Sequence, residues 1–263
     1  MLLTFDVGNT NIVVGCFDRG DLKSVFRLKT DLERTVDEYS ALLLSLLHQR
    51  LGSDVEFSQA IISSVVPPIT PDLCRLVRET FGLEPLVVGP GIKTGIAIKT
   101  ADPAAVGSDR VVNAIAARAR FGCPAIVIDF GTATSFDVLS TKGEYEGGII
   151  APGVKISLDA LVKNTAKLPR IELTWPSSVI GKSTISAMQV GTVVGYLCLV
   201  EGLVTRLLHE VGETATVIAT GGMGRLFAEH SSLIHHYEPN LTLFGLLEIA
   251  QQNQDDHEWK ASH

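Results

Sequence analysis

Apolar and polar positions along this chain form a pattern that occurs twice. The run Leu2-Leu3-Thr4-Phe5 leads into Asp6-Val7-Gly8-Asn9-Thr10-Asn11, and far downstream Ala125-Ile126-Val127-Ile128 leads into Asp129-Phe130-Gly131-Thr132-Ala133-Thr134. Short apolar runs bounded by turn residues read as buried strands. In both copies an acid stands where the strand ends, a glycine lets the backbone turn sharply, and hydroxyl side chains follow at once.

After the first corner the pattern predicts a hairpin meander: a strand over Ile12 to Phe17, a tight turn at Arg19-Gly20-Asp21 and a strand near Val25 to Leu28. Thr35 and Glu38 have the spacing of a capping box, and Tyr39, Leu42, Leu43, Leu46 and Leu47 then recur on one helical face. Ala60 to Val66 reads as a strand ending in Ser63, Ser64 and Pro67-Pro68, Pro71 to Phe81 as a helix stopped by Gly82, and Leu86 to Val88 as a strand. The second half repeats the scheme. Strands run through Phe136 to Leu139 and into Gly147-Gly148-Ile149-Ile150 around a turn at Lys142-Gly143, and a later one over Thr216 to Ala219 ends in Thr220-Gly221-Gly222. A duplicated strand-meander-helix-strand unit implies two similar α/β domains with a ligand cleft between them. The expected domains span residues 1–121 and 122–250, joined near Phe121-Gly122-Cys123-Pro124, and residues 251–263 read as a flexible polar tail.

The 263 residues suffice for a sizeable core. Charges interrupt the long apolar stretches, no window offers the roughly 20 uninterrupted residues of a membrane helix, and no basic leader precedes Asp6, so a soluble cytoplasmic protein is expected. A net charge of -7 without any basic stripe argues against nucleic acid. Cys16, Cys74, Cys123 and Cys198 lack CxxC spacing and read as buried reduced thiols, and His235-His236 has no zinc-ligand partners at suitable spacing.

The paired corners are the principal chemical signal. Backbone N–H groups in such turns point at an anion, Thr10 and Thr132 can donate hydroxyls, and Asp6 and Asp129 are hard oxygen ligands suited to magnesium or potassium. Gly107-Ser108-Asp109-Arg110 opens a helix with Val111, Val112, Ile115, Ala116 and Ala119 as its apolar stripe. Asp109 there either complements the helix dipole or, beside Arg110, accepts a hydroxyl proton while the guanidinium clamps an anion. Gly147-Gly148 with Pro152-Gly153 is a turn or a glycine surface for a substrate, and Gly221-Gly222 permits a flat base or ribose against bare backbone. Gly181-Lys182-Ser183-Thr184 is no P-loop, since Pro176 stands where the first glycine belongs, and Gly89-Pro90-Gly91 lacks the third glycine of a dinucleotide fingerprint.

Taken together, Asp6-Val7-Gly8-Asn9-Thr10-Asn11, Gly107-Ser108-Asp109-Arg110, Asp129 to Thr134, Gly147 to Gly153 and Thr220-Gly221-Gly222 resemble the type III pantothenate kinases, of the acetate and sugar kinase, Hsp70 and actin superfamily. The resemblance covers Leu2 to about Ala250 in order. It implies duplicated actin-like ATPase (ribonuclease H-like) domains and phosphorylation of pantothenate by ATP, the first step of coenzyme A synthesis. It also implies magnesium, a monovalent cation (potassium or ammonium), and a homodimer with pantothenate at the subunit interface. By motif, Asp109 would be the general base, and Gly107, Ser108, Arg110 and Thr184 would hold pantothenate, Thr184 coming from the neighbouring subunit. Asp6, Val7, Gly8, Asn9, Thr10, Asn11, Ile12, Val13, Gly131, Thr132, Gly221 and Gly222 would bind ATP, with Asp6 on magnesium and Asp129 on potassium. Thr100 takes the place of a frequent tyrosine in the substrate site. Another small-molecule kinase on this fold, or an ATP-binding regulator, is the alternative. The glycine-interrupted apolar helix over Ala187 to Leu208 is either core or a dimer seam.

Overall fold

The structure is a computed structural model that describes residues 1–212 and 214–253. The described chain divides into two compact units: Met1–Gly95, Asp102–Ala116 and residues 242–253 form one, Ile96–Ala101 and Ala117–Leu241 the other. In the first, strands β1 (Leu2–Val7), β2 (Asn11–Asp18), β3 (Asp21–Lys29), β4 (Gln59–Ser64) and β5 (Leu86–Val87) form a sheet in the order β3-β2-β1-β4-β5. In the second, β6 (Ala125–Phe130), β7 (Ala133–Leu139), β8 (Tyr145–Pro152), β9 (Thr216–Thr220) and β10 (His236–Tyr237) form the order β10-β9-β6-β7-β8. Read from the meander edge, both sheets run third, second, first, fourth, fifth strand. The repeat seen in the sequence is thus a repeat of topology, an antiparallel meander joined to a parallel pair. This is the duplicated actin-like α/β architecture.

The first sheet is buried on both faces, which its nearly continuous apolar β1 requires. Leu3, Phe5 and Val7 pack against Tyr39, Leu43 and Leu47 of helix α1 (Val36–Leu51) and Leu73 and Val77 of helix α2 (Thr70–Phe81). The predicted capping box starts α1: the Glu38 N–H donates to Thr35 Oγ1 (3.3 Å) and the Thr35 N–H to Glu38 Oε2 (2.8 Å). Gly82 ends α2 in the left-handed region, φ 67°. Each fully buried Leu or Val contributes about 1.5–3 kcal/mol, so slipping β1 by one residue, which would turn Asp6 inward, is strongly disfavoured.

Helix α3 (Ser108–Phe121) follows an irregular stretch. The second unit then carries α4 (Val154–Lys163), α5 (Thr184–Gln189), a π-helical turn (Val190–Val194), α6 (Gly195–Val211) and α7 (Gly224–Ala228). Val193, Tyr196, Leu197, Val200, Val204 and Leu207 pack with Ile126, Ile128, Phe130 and Phe136 into the second core.

Four features differ from the sequence reading. The last helix, α8 (Leu241–Gln252), follows the second sheet in the chain but packs in the first unit: Leu243 lies against Gly15 and Thr4, Gly245 against Val112, and Phe244 stacks edge-on with Phe17. Within residues 251–263, Gln251 and Gln252 are helical and Asn253 is buried, bonded to both backbone groups of Lys93; residues 254–263 lie outside the described chain. Cys16 and Cys74 are buried, and burial pushes the Cys16 thiol up to about 12, whereas Cys123 is half-buried and Cys198 is exposed because α6 turns only one face to the core. Among the described residues, the Thr184–Val211 helix is long and apolar enough to cross a membrane by length and composition. No charge falls between Lys182 and Glu201, so the reading that charges break every long apolar stretch does not hold there.

A side chain at Gly245 would overlap the Val112 carbonyl. Gly245→Val is therefore expected to destabilise the protein by about 1–3 kcal/mol, through displacement of α8. A lower urea midpoint at unchanged m-value is the expected readout.

Candidate active site

In the first unit the C-terminal edge of the sheet gathers the candidate residues. Asp6 lies near the end of β1, with Val13 as its antiparallel partner and Ser63 as its parallel partner on β4. Beyond it the Gly8 N–H donates to the Asn11 carbonyl (3.0 Å), closing a tight turn whose Asn9 and Thr10 are exposed. Val7 and Ile12 pair across that turn and are buried in the core, so any nucleotide contact they make comes from the main chain. Thr30 secures the turn from outside: its Oγ1–H donates to the Gly8 carbonyl (2.6 Å) and its N–H to the Thr10 carbonyl (3.1 Å).

The start of α3 is tied to the same edge. Ser63 Oγ–H donates to Ser108 Oγ (2.9 Å), whose own hydroxyl donates to the Ser64 carbonyl (3.1 Å). Asp109 is thereby set beside the end of β4, one strand from Asp6. A Cβ on Gly107 would stand 2.6 Å from Asp109 Oδ1, so a side chain there would displace the carboxylate. Asp109 Oδ1 accepts the Arg110 N–H (2.8 Å). Burial nevertheless dominates and raises the Asp109 pKa, against the lowering effects of that bond and of the Arg110 charge. A helix-start acid that served only the dipole would shift the other way. A carboxylate desolvated in this manner has its proton affinity raised toward that of a general base.

The second unit repeats the corner. Asp129 on β6 has Ser135 and Thr220 as its strand partners, as Asp6 has Val13 and Ser63. Gly131 and Thr132 follow, exposed. Gly221, at φ 85°, lies so close to Asp129 Oδ1 and the Phe130 carbonyl that any Cβ would strike both, and a side chain at Gly153 would overlap the Thr132 carbonyl. Gly222 is exposed and Tyr237 Oη–H donates to the Gly221 carbonyl (3.4 Å). Thr184 is exposed in the first turn of α5, after an N-cap in which the Ser186 N–H donates to Ser183 Oγ (3.2 Å). The Gly181–Thr184 segment is thus a helix cap, in keeping with its rejection as a P-loop. Thr100 is half-buried in the second unit, beside Gly147.

Among the described residues no three His, Cys, Asp or Glu side chains cluster as a metal cage. Asp6 and Asp129 each stand instead with hydroxyls or carbonyl oxygens around a glycine turn. Such all-oxygen donors fit a hard cation that shares its coordination with phosphate oxygens and water.

Ser63 and Thr30 are the functional supports that motif reasoning passed over. Both could be found from register, since a parallel β1–β4 pair puts Ser63 beside Asp6 and the β2–β3 hairpin puts residue 30 opposite Thr10.

The sequence model of the type III pantothenate kinase family matches residues 2–206. The chain belongs to that family. A type III pantothenate kinase of an Exiguobacterium strain is 50% identical over 257 residues, covering 97% of this chain and 100% of the relative. One of Bacillus cytotoxicus is 48% identical over 253 residues, covering 96% of this chain and 97% of the relative. Among solved structures, a Baf family protein of Campylobacter jejuni superposes with a TM-score of 0.62 at 18% identity, covering 96% of this chain and 99% of that one, a likeness of fold.

As a member of this kinase family, the chain should lose nucleotide affinity when Gly221 gains a side chain. Gly221→Ala is expected to weaken ATP binding at least tenfold by calorimetry while the first unit's signals in an NMR spectrum stay in place. Unchanged affinity would remove the Asp129–Gly221 corner from the nucleotide site.

Proposed function

We propose that the protein transfers the γ-phosphoryl group of ATP to the hydroxyl of pantothenate, with Asp109 as the general base. The observation that carries this assignment of roles is the Ser63–Ser108 hydrogen bond, which sets a half-buried Asp109, its pKa raised by desolvation, at the sheet edge where Asp6 and the Gly8 turn lie.

Phosphoryl transfer asks little covalent work of a protein; alignment and charge neutralisation do most of it. Asp109 orients the acceptor hydroxyl and takes its proton. Arg110, fixed next to it, pairs with an anionic group of pantothenate, and the Gly107 turn admits the substrate close to the backbone. Asp6 to Thr10 and Thr132 hold ATP phosphates through turn amides and the threonine hydroxyls, while Asn11, Ile12, Val13, Gly131, Gly221 and Gly222 make the remaining nucleotide contacts. Asp6 would hold magnesium and Asp129 a monovalent cation, potassium or ammonium; these ions, when bound, neutralise phosphate charge. Thr100 meets the acceptor substrate. The protein works in the cytoplasm, free of membrane and nucleic acid.

A homodimer through the Thr184–Val211 helix completes the reading. A groove of about 750 Å³ beside it is lined by Leu158, Leu161, Met188 and Leu199 along with Gly191 and Gly195. Ile185 and Leu199 are exposed, and a Cβ on Gly191 or Gly202 would meet open space, so another helix can approach closely. Thr184 lines the same groove, which suits a residue offered to the neighbouring subunit's pantothenate.

The decisive assay is pantothenate-dependent ADP release, with and without potassium, against sugars and acetate as controls. Asp109→Asn should retain ATP binding and lose turnover by roughly 10² to 10⁴; near-normal turnover would remove Asp109 from its role. Because its pKa is raised, the acid limb of the kcat/KM profile should lie above the ordinary aspartate value of 3.8. The same shift fixes a stability effect. The folded state binds this proton more tightly than the unfolded chain, so stability is fully present below 3.8 and declines as pH rises through the raised pKa. Asp109→Asn should therefore match the wild-type melting temperature in acid and exceed it at pH 7. Leu199→Asp should yield monomers by sedimentation; a wild type that is itself monomeric at micromolar concentration would exclude the seam.

A further inference from the structure

The segment Ile96–Ala101 belongs to the second unit and is tied there at Tyr145 and Glu144. The Tyr145 N–H donates to the Ala97 carbonyl (2.8 Å) and the Tyr145 carbonyl accepts the Lys99 N–H (2.8 Å), so Ile98 and Tyr145 form a parallel bridge. Lys99 Nζ adds an ion pair to Glu144 (3.1 Å). Tyr145 has no solvent exposure, and its hydroxyl donates to Oδ1 of Asp137 (2.7 Å), a carboxylate also without exposure whose Oδ2 accepts from Ser135 Oγ (3.0 Å). Burying a carboxylate is costly and needs a reason, and this one is used to lock the ring whose main chain holds the segment.

Thr100 comes next in that segment. Its Oγ1 is buried and, among the described residues, is the buried side-chain oxygen without a hydrogen-bond partner. A hydroxyl in that state is unfavourable in the free protein and becomes useful when a ligand supplies the partner. The Thr100 Cβ is placed by the backbone and only χ1 is left to orient Oγ1, so a one-residue slip of the segment would carry the hydroxyl to the other side. Gly147, at φ 129°, packs beside the Thr100 methyl, where a Cβ would stand 3.8 Å from Cγ2.

We infer that Asp137 and Tyr145 are positioning residues for the acceptor substrate: their buried hydrogen bond fixes the 96–101 segment so that the Thr100 hydroxyl meets an oxygen or amide group of that substrate. This rests on the reading of Thr100 as an acceptor contact in a pantothenate kinase.

The test compares wild type, Tyr145→Phe, Thr100→Val and the double variant by ADP release, with hydrogen exchange of the Lys99 amide measured alongside. Each single change should raise the KM for pantothenate roughly three- to tenfold, the size of one neutral hydrogen bond, with kcat and the KM for ATP within about twofold. The double variant should be no worse than Thr100→Val alone, and Lys99 should exchange faster in Tyr145→Phe. Additive effects, an unchanged KM for pantothenate, or an equal rise in the KM for ATP overturns the inference. Should Tyr145→Phe not fold, Ser135→Ala, which removes one bond from Asp137, is expected to move the same KM in the same direction, and no movement overturns it. Wild-type protein without pantothenate-dependent ADP release fails the functional reading instead. The Lys99 exchange comparison then still decides the clamp, with unchanged exchange rejecting it.

Discussion

The parallel pairing of the first and fourth strands, made once in each unit, is the constraint on which the rest depends. It places Asp6 beside Ser63 and Asp129 beside Thr220, so that in both sheets an acid and a hydroxyl residue end adjacent strands. Ligands of open α/β sheets collect at the carboxyl ends of strands because chain reversals there leave backbone N–H groups free of the ladder. Apolar burial on the β1 face enforces the register. A slip of one residue would exchange Leu3, Phe5 and Val7 for Thr4 and Asp6, and no turn chemistry could offset that loss.

Around that register the site is built by exclusion as much as by contact. Gly107, Gly153 and Gly221 each stand where a Cβ would collide with a carbonyl or with the carboxylates of Asp109 and Asp129. The bare backbone is thereby left open beside these carboxylates, at the cost of chain stiffness. Asp109 carries the opposite strain. Its helix start and its neighbour Arg110 favour the charged form, and burial outweighs them. A carboxyl group with its pKa raised in this way costs stability at neutral pH, as carboxylates at functional sites often do.

Much of this was readable before any coordinates. The two corners, the Thr35–Glu38 capping box, the Gly82 stop and nearly all strands come from short-range chemistry: apolar runs of strand length, helical spacing and glycine where the backbone needs it. β10 escaped because His236-Tyr237 offers no apolar run, unlike Leu86-Val87-Val88 at the equally short β5. Cys198 was misjudged because an apolar neighbourhood in sequence does not say which face of a helix meets the core. The uncharged stretch from 183 to 200 stood in the sequence itself; what the sequence could not say is that one face of this helix packs in the core while the other is exposed.

Local sequence, then, determined the duplication, the elements and the acids at the strand ends, because each depends on neighbours within a few positions. Tertiary structure alone decided that α8 returns to the first unit, that Ser63 and Ser108 tie Asp109 to the edge holding Asp6, and that Asp137 and Tyr145 secure the segment bearing Thr100. Those partners lie far apart along the chain or depend on strand order. A buried hydrogen bond between such groups is set by how layers pack, which no local pattern encodes.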